Sequence, residues 1–303
     1  MSDPPRVVVV FNPAARSRDS DARKEETKNA LDNRRLEYAW LETTADDPGT
    51  EMLRSALDDD VDLVLASGGD GTVMACATAL ANKGIPLALL PAGTGNLLAN
   101  NLNLPRDLPG ALEVAVSGAT RTIDVGSTPH GCFVIMAGMG FDAAMLRDAD
   151  PKLKRRLGAV AYVRSGLKHV RAPAHHVKLL VDDEQPLDCE AHMILIANIG
   201  KLQGGLTAVP SANPEDGLLT VAVVEAGSVS AWVKLLWRLV RGHRADDARV
   251  RTIEVRKLEI TSDPAMPVEL DGDVFEEARS FSVEVLPSAL KLRVPRDLER
   301  AVS

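Results

Sequence analysis

The stretch Leu63-Val64-Leu65-Ala66-Ser67-Gly68-Gly69-Asp70-Gly71-Thr72 constrains this chain more than any other. Four apolar residues in a row, with no polar alternation, suit a parallel strand covered on both faces. The run then breaks into glycines and passes into a helix-like segment at 72–82. Such a turn admits an anion: glycine lets the backbone approach closely, and the first turn of the helix offers unbonded N–H groups and partial positive charge. Asp70 stands where a carboxylate can hold a metal or orient a group. A ligand-free tight turn has the same local signature, so both readings stand for this segment alone.

A second turn of the same design removes much of that ambiguity. Pro91-Ala92-Gly93-Thr94-Gly95-Asn96 follows the apolar run 86–90 and precedes a helical run at 97–102. Upstream, the apolar run 7–11 ends in Asn12-Pro13. Between them, residues 19–36 read as a charged helix, 38–41 as a second strand, 50–58 as a helix and 61–66 as the third strand. Strands alternating with helices over the first 130 residues predict a Rossmann-like α/β domain with a parallel sheet. Ligands of such sheets bind outside the carboxyl ends of the strands, where all three turns fall.

Beyond residue 130 the rhythm changes. Short β-type runs at 132–137, 177–181, 192–197, 218–224, 257–261 and 281–285, separated by Gly, Pro and Asp-Gly, predict a β-sandwich. Two helices interrupt it, near 153–170 and 228–241. The expected domains are therefore a nucleotide-binding α/β domain at 1–130, a β-rich acceptor domain at 131–285, and a C-terminal segment at 286–303 that returns to the first.

Several function classes fall away. A formal charge of −8 argues against nucleic acid as a partner. Cys76, Cys132 and Cys189 lie far apart, with no pair at metal-ligand spacing, and are expected to be buried thiols. Neither a Gly-x-Ser-x-Gly elbow nor a Gly-x-x-x-x-Gly-Lys-Ser/Thr loop occurs. No apolar run approaches the roughly 18–20 residues of a membrane span, and the first residues lack the pattern of a secretory signal, so a cytoplasmic address is expected.

Taken in order, Asn12-Pro13, Gly68 through Thr72 and Pro91 through Asn96 resemble the diacylglycerol kinase catalytic family, which includes the sphingosine kinases. The resemblance continues through Asp124 in Thr122-Ile123-Asp124-Val125-Gly126, then Gly138-Met139-Gly140-Phe141-Asp142, Asn198-Ile199-Gly200, Gly204-Gly205, Pro210-Ser211-Ala212, Asp216-Gly217-Leu218 and Leu270-Asp271-Gly272-Asp273, nearly the whole chain. It implies an ATP-dependent lipid kinase with the NAD kinase/diacylglycerol kinase-like fold. By the same resemblance Asn12, Thr44, Gly68, Gly69, Asp70, Gly71, Thr72, Gly93, Thr94 and Asn96 would surround ATP, with Thr43 an alternative to Thr44. Mg²⁺ would be held by Asp216 and the backbones of Asn213 and Leu218, hard oxygen donors suited to it. Asp70 and Asp124 would organise metal and water, and Asp273 would take the proton of the acceptor hydroxyl.

Two departures from the family pattern stand out. Asp273 replaces the usual Glu, one methylene longer, which leaves Asp271 open as an alternative base. After Asn12-Pro13 the usual Ser-Gly is replaced by Ala14-Ala15-Arg16-Ser17-Arg18, so that Arg16 and Arg18 either reach phosphate or are simply solvated. The implied acceptor, a lipid such as diacylglycerol, requires contact with a membrane surface. Two segments suit that role or an ordinary structural one. In 228–242, Trp232, Leu235, Leu236, Leu239 and Val240 share a face opposite Lys234, Arg238 and Arg241. The cluster Lys152-Leu153-Lys154-Arg155-Arg156 belongs to a locally basic stretch. The rival readings are a soluble-acceptor kinase of the NAD kinase or phosphofructokinase type and a non-catalytic lipid- or nucleotide-binding relative; the oligomeric state is open, a homodimer included.

Overall fold

The computed structural model describes residues 6–15, 20–140, 174–201, 207–225 and 250–296. Arg16 and Arg18, Phe141-Asp142, the basic stretch with its helix at 153–170, Gly204-Gly205 and the amphipathic helix at 228–241 lie outside the described residues. The chain forms two compact units, one of Met1–Val125 with Leu286–Ser303, the other of Gly126–Val285.

In the first unit β1 (Arg6–Phe11), β2 (Glu37–Glu42), β3 (Leu63–Gly68) and β4 (Leu87–Pro91) are parallel and lie in the order β2-β1-β3-β4. Val7 to Phe11, all of β3 and Leu87 to Leu90 are buried, which is why these strands read as unbroken apolar runs. Helices α1 (Ser20–Asp32), α2 (Thr50–Ala56), α3 (Asp70–Leu80), α4 (Leu97–Asn101) and α5 (Leu108–Ser117) fill the connections. α5 was not expected from the sequence. It is nonetheless well specified: Asp107 caps it by accepting the Gly110 N–H at 2.9 Å, with proline in the first turn. Ala111, Leu112 and Ala115 face a core that includes Val7, Val9 and Leu65.

At the carboxyl end of the sheet, register does the positioning. Phe11 stands opposite Ser67, and Gly68 opposite Pro91, so the segments leaving β1, β3 and β4 emerge side by side. Backbone bonds from Asn12 N–H to the Ser67 carbonyl and from Ala92 N–H to the Gly68 carbonyl, each 2.9 Å, extend that pairing past the strands.

The second unit is an antiparallel β-sandwich. β7 (Met136–Gly140) lies between β10 (Met193–Ala197) and β13 (Lys257–Leu270), and β11 (Leu219–Val224) and β12 (Val250–Val255) follow β10. β13 shifts register between Thr261 and Met266. Its first half pairs with β8 (His175–Val181), itself paired to β9 (Leu187–Ala191), and its second half pairs with β7. β14 (Asp273–Val294) runs back along β13 after the two-residue turn Asp271-Gly272. β5 (Ala119–Thr128) turns into β6 (Gly131–Phe133), and the single strand expected at 132–137 is broken in two after Phe133. The break has a cause: the N–H groups of Val134, Ile135 and Met136 are directed at one carboxylate, that of Asp271. No helix among the described residues is long and apolar enough to cross a membrane.

Candidate active site

The two glycine turns of the first unit touch. A Cβ added to Gly93 would stand 2.6 Å from the Gly69 Cα, and one added to Gly69 would stand 3.2 Å from the Gly93 Cα. Only bare backbones fit there. Gly68 is glycine for a neighbouring reason, since its Cβ would meet the Thr72 Oγ1 at 2.3 Å. The N-cap of α3 is Gly69, which offers no side-chain cap to the amides of the first turn.

Side chains lock this arrangement. Asn96, in the left-handed region at φ 46°, closes its turn by accepting the Gly93 N–H and donating to the Gly93 carbonyl, both at 2.9 Å. Asp70 reaches across to accept the Leu97 N–H at 2.6 Å and so ties the start of α3 to the start of α4. Asn12 donates to the Thr72 Oγ1 at 3.0 Å, and its own Oδ1 accepts the Ala14 N–H at 2.9 Å. Thr72 is 3% exposed, and its hydroxyl braces Asn12. Thr94 is exposed on the second turn.

Thr43 and Thr44 differ in access. Thr43 is buried, whereas Thr44 is exposed and accepts the Asp47 N–H at 3.1 Å, which leaves its hydroxyl proton to donate. Arg23 had no place in the sequence reading and has one here. Its guanidinium lies 4.4 Å from the centre of the Phe11 ring and donates to the carbonyls of Asn12 and Ala15. An arginine one turn into a helix that starts soon after Asn-Pro is the available sequence signal, though it specifies no partner.

In the second unit the Leu270-Asp271-Gly272-Asp273 turn sorts its carboxylates. Asp271, 7% exposed and at φ 47°, accepts the Val134 N–H on one oxygen at 2.7 Å and those of Ile135 and Met136 on the other at 2.9 Å each. With both oxygens committed to amides it is an anchor, and the alternative of Asp271 as base is not favoured by its geometry. Glu269, 1% exposed, accepts the Gly272 N–H at 2.8 Å and braces the same turn. The glutamate inside the apolar run Val268-Glu269-Leu270 is its readable sequence signal. Asn198 donates to the Val134 carbonyl at 2.8 Å, tying the end of β10 to the same segment.

Asp273 differs in kind. Its side chain reaches solvent, yet the surrounding protein displaces enough water to push its carboxyl above the ordinary aspartate value of 3.8. That is the direction that suits a proton acceptor. Asp124, expected beside metal and water, is 1% exposed and accepts the N–H of Ser288 at 2.7 Å. It holds the returning C-terminal segment.

Asp216 and Leu218 share an exposed loop in which the Asp216 Oδ1 accepts the Leu218 N–H at 3.0 Å, with Gly217 at φ 73°. Asn213 Oδ1 accepts the Glu215 N–H at 3.3 Å. Among the described residues no group of three or more His, Cys, Asp or Glu could hold a metal. One carboxylate with backbone carbonyls nevertheless fits, in donor type, a hard cation that keeps most of its water. Of the thiols, Cys76 and Cys132 are buried and Cys189 is half-buried; burial pushes Cys76 up to about 12.

A parallel sheet carrying touching glycine turns at its carboxyl edge, in one chain with an antiparallel sandwich, defines the NAD kinase/diacylglycerol kinase fold class. Residues 6–128 match the diacylglycerol kinase catalytic domain, and residues 135–294 match the YegS C-terminal NAD kinase beta sandwich-like domain. The chain is 31% identical to "Probable lipid kinase YegS-like" of Klebsiella pneumoniae over 81% of its own length and 82% of that protein's. It is likewise 31% identical to "Probable lipid kinase YegS" of Escherichia coli, over 77% and 78%. A Bacillus anthracis structure described as a diacylglycerol kinase superposes with a TM-score of 0.78 at 22% identity, covering 98% of this chain and 100% of that one. An Archaeoglobus fulgidus NAD kinase in complex with ATP gives 0.53 at 15% identity, over 98% and 96%. The chain belongs to the diacylglycerol kinase catalytic-domain family of YegS-like lipid kinases.

Proposed function

We propose that this protein transfers the γ-phosphoryl group of ATP to the free hydroxyl of diacylglycerol, forming phosphatidic acid and ADP. The observation that carries the nucleotide half is the contact between Gly69 and Gly93, which brings two glycine turns together at the end of a parallel sheet. Asn12, Thr44, Gly68 to Thr72, Gly93, Thr94 and Asn96 form the phosphate-facing surface, with Asp70 and Thr72 acting as braces. In the reaction the acceptor oxygen bonds to the γ-phosphorus as the bond from phosphorus to the β–γ bridging oxygen breaks. The hydroxyl proton passes to Asp273, whose raised carboxyl is the one acid of its turn left for that work.

Mg²⁺ would neutralise phosphate charge, and a metal site of the second unit would be formed by Asp216 with the backbones of Asn213 and Leu218. A lipid acceptor would require transient contact with a membrane surface, on the cytoplasmic inner face where ATP is available.

The test is incubation of the purified protein with γ-labelled ATP, Mg²⁺ and mixed micelles of bacterial lipids, followed by separation of the organic phase. Label in phosphatidic acid supports the reading, and loss of that label in Asp273→Asn assigns the base. Label in another lipid keeps the kinase and replaces the acceptor. Label only in aqueous product, as NAD phosphorylation would give, refutes it.

A further inference from the structure

The turn between β5 and β6 is held rigid by Thr128. Its hydroxyl accepts the His130 N–H at 3.1 Å and donates to the Gly131 carbonyl at 2.9 Å, closing Pro129-His130 into a two-residue hairpin with Gly131 at φ 122°. The hairpin presents the His130 ring, exposed, against Phe275 of β14, with centroids 5.0 Å apart and planes tilted by 32°. Phe275 is half-buried and two residues beyond Asp273, so the two side chains leave the same face of the strand. Gly272 precedes them, and a Cβ built there meets nothing within 4 Å. Beside the turn there is open space, with a carboxylate and a propped aromatic wall on one strand face.

Neither ring is among the fully buried core side chains, and the His130 ring faces solvent. We propose that Phe275, held by His130, is the specificity-determining wall that seats the acceptor. On this view the apolar part of a lipid alcohol next to its hydroxyl lies on the Phe275 face, and the imidazole edge meets the adjacent ester linkage. The wall discriminates between acceptors by what flanks the hydroxyl: a hydroxyl near an ester-linked chain gains the contact, and one in a wholly polar molecule gains nothing. This rests on the lipid-kinase reading above.

The experiment compares wild type, Phe275→Ala, Phe275→Leu, His130→Ala and His130→Phe in steady-state phosphorylation of a short-chain diacylglycerol in micelles, varying acceptor and ATP separately. Losing a half-buried phenyl contact predicts a rise of about tenfold in acceptor KM for Phe275→Ala. ATP KM should stay unchanged, with a smaller rise for Phe275→Leu, which keeps apolar bulk. His130→Ala should move the same constant in the same direction. His130→Phe should recover the stack but not the polar edge, giving an intermediate value. Because His130 is exposed, its variants report even if Phe275→Ala fails to fold. Acceptor KM within twofold of wild type in both Phe275→Leu and His130→Ala, with lipid labelling intact, overturns the aromatic wall and leaves the kinase standing. Absence of lipid labelling in the wild type overturns both together.

Discussion

Gly93→Ala isolates the contact between the glycine turns. The added methyl carbon would sit 2.6 Å from the Gly69 Cα and 3.0 Å from the Asn96 Oδ1, against the 3.4 Å at which ordinary contact begins. Gly93 does not occupy the left-handed region, so alanine suits its backbone and the penalty is purely one of contact. Neither neighbour yields cheaply: one is backbone, and the other is held by reciprocal 2.9 Å hydrogen bonds to Gly93 itself. Overpacking of this kind costs about 1–3 kcal/mol. For a unit of this size each kcal/mol lowers Tm by roughly 2–4 °C. The turns must part by a large fraction of an ångström, and displacement approaching that scale at a phosphoryl-transfer centre costs on the order of a hundredfold. The expected result is a modestly lowered Tm with kcat/KM for ATP reduced by about ten- to a hundredfold. Gly69→Ala, whose Cβ would stand at 3.2 Å, should show the same effects to a smaller extent. Thermal melting and steady-state kinetics at varied ATP measure both. A wild-type kcat/KM for ATP in Gly93→Ala, or a larger effect from Gly69→Ala, would refute the idea that contact between these backbones shapes the proposed phosphate site.

Three further outcomes are expected. Activity should rise with pH through a midpoint above 3.8, because burial raises the Asp273 carboxyl and only its ionised form accepts a proton. The same shift lowers stability as pH climbs from the unfolded-state value through the raised folded one, since the folded state holds that proton longer; Asp273→Asn should remove that dependence in pH-dependent melts. Asp271→Asn replaces one acceptor oxygen by an NH₂ facing backbone donors at 2.7–2.9 Å. It should cost about 1–3 kcal/mol in denaturant unfolding, whereas a change under a few tenths would mean the three bonds matter little. Asp216→Ala should raise the Mg²⁺ concentration for half-maximal activity at least about tenfold in a metal titration, and an unchanged curve would move the metal elsewhere.

The carboxylates show where sequence reading stops. Asp70, Asp124 and Asp271 each stand in a motif that invites a catalytic role, yet each accepts a backbone N–H supplied from afar: Leu97, Ser288 and, for Asp271, Val134 to Met136. An amide donor carries no residue-type signature, so nothing in the local sequence names the partner. The same property hid the break between β6 and β7, where 132–137 reads as one strand until the Asp271 carboxylate is brought to it. β9 and β12 escaped for a different reason, being mostly exposed strands with few buried positions to mark a period.

By itself the sequence determined the alternation of strands and helices, the parallel sheet and the position of the glycine turns, because these follow from apolar periodicity and from places where only glycine fits. Tertiary structure alone decided which acids are tied to distant amides, that Arg23 holds the loop after β1, and that His130 props Phe275. Those facts depend on groups distant in the chain meeting at hydrogen-bond or stacking distance, and the energy that selects them is not expressed until the fold brings them together.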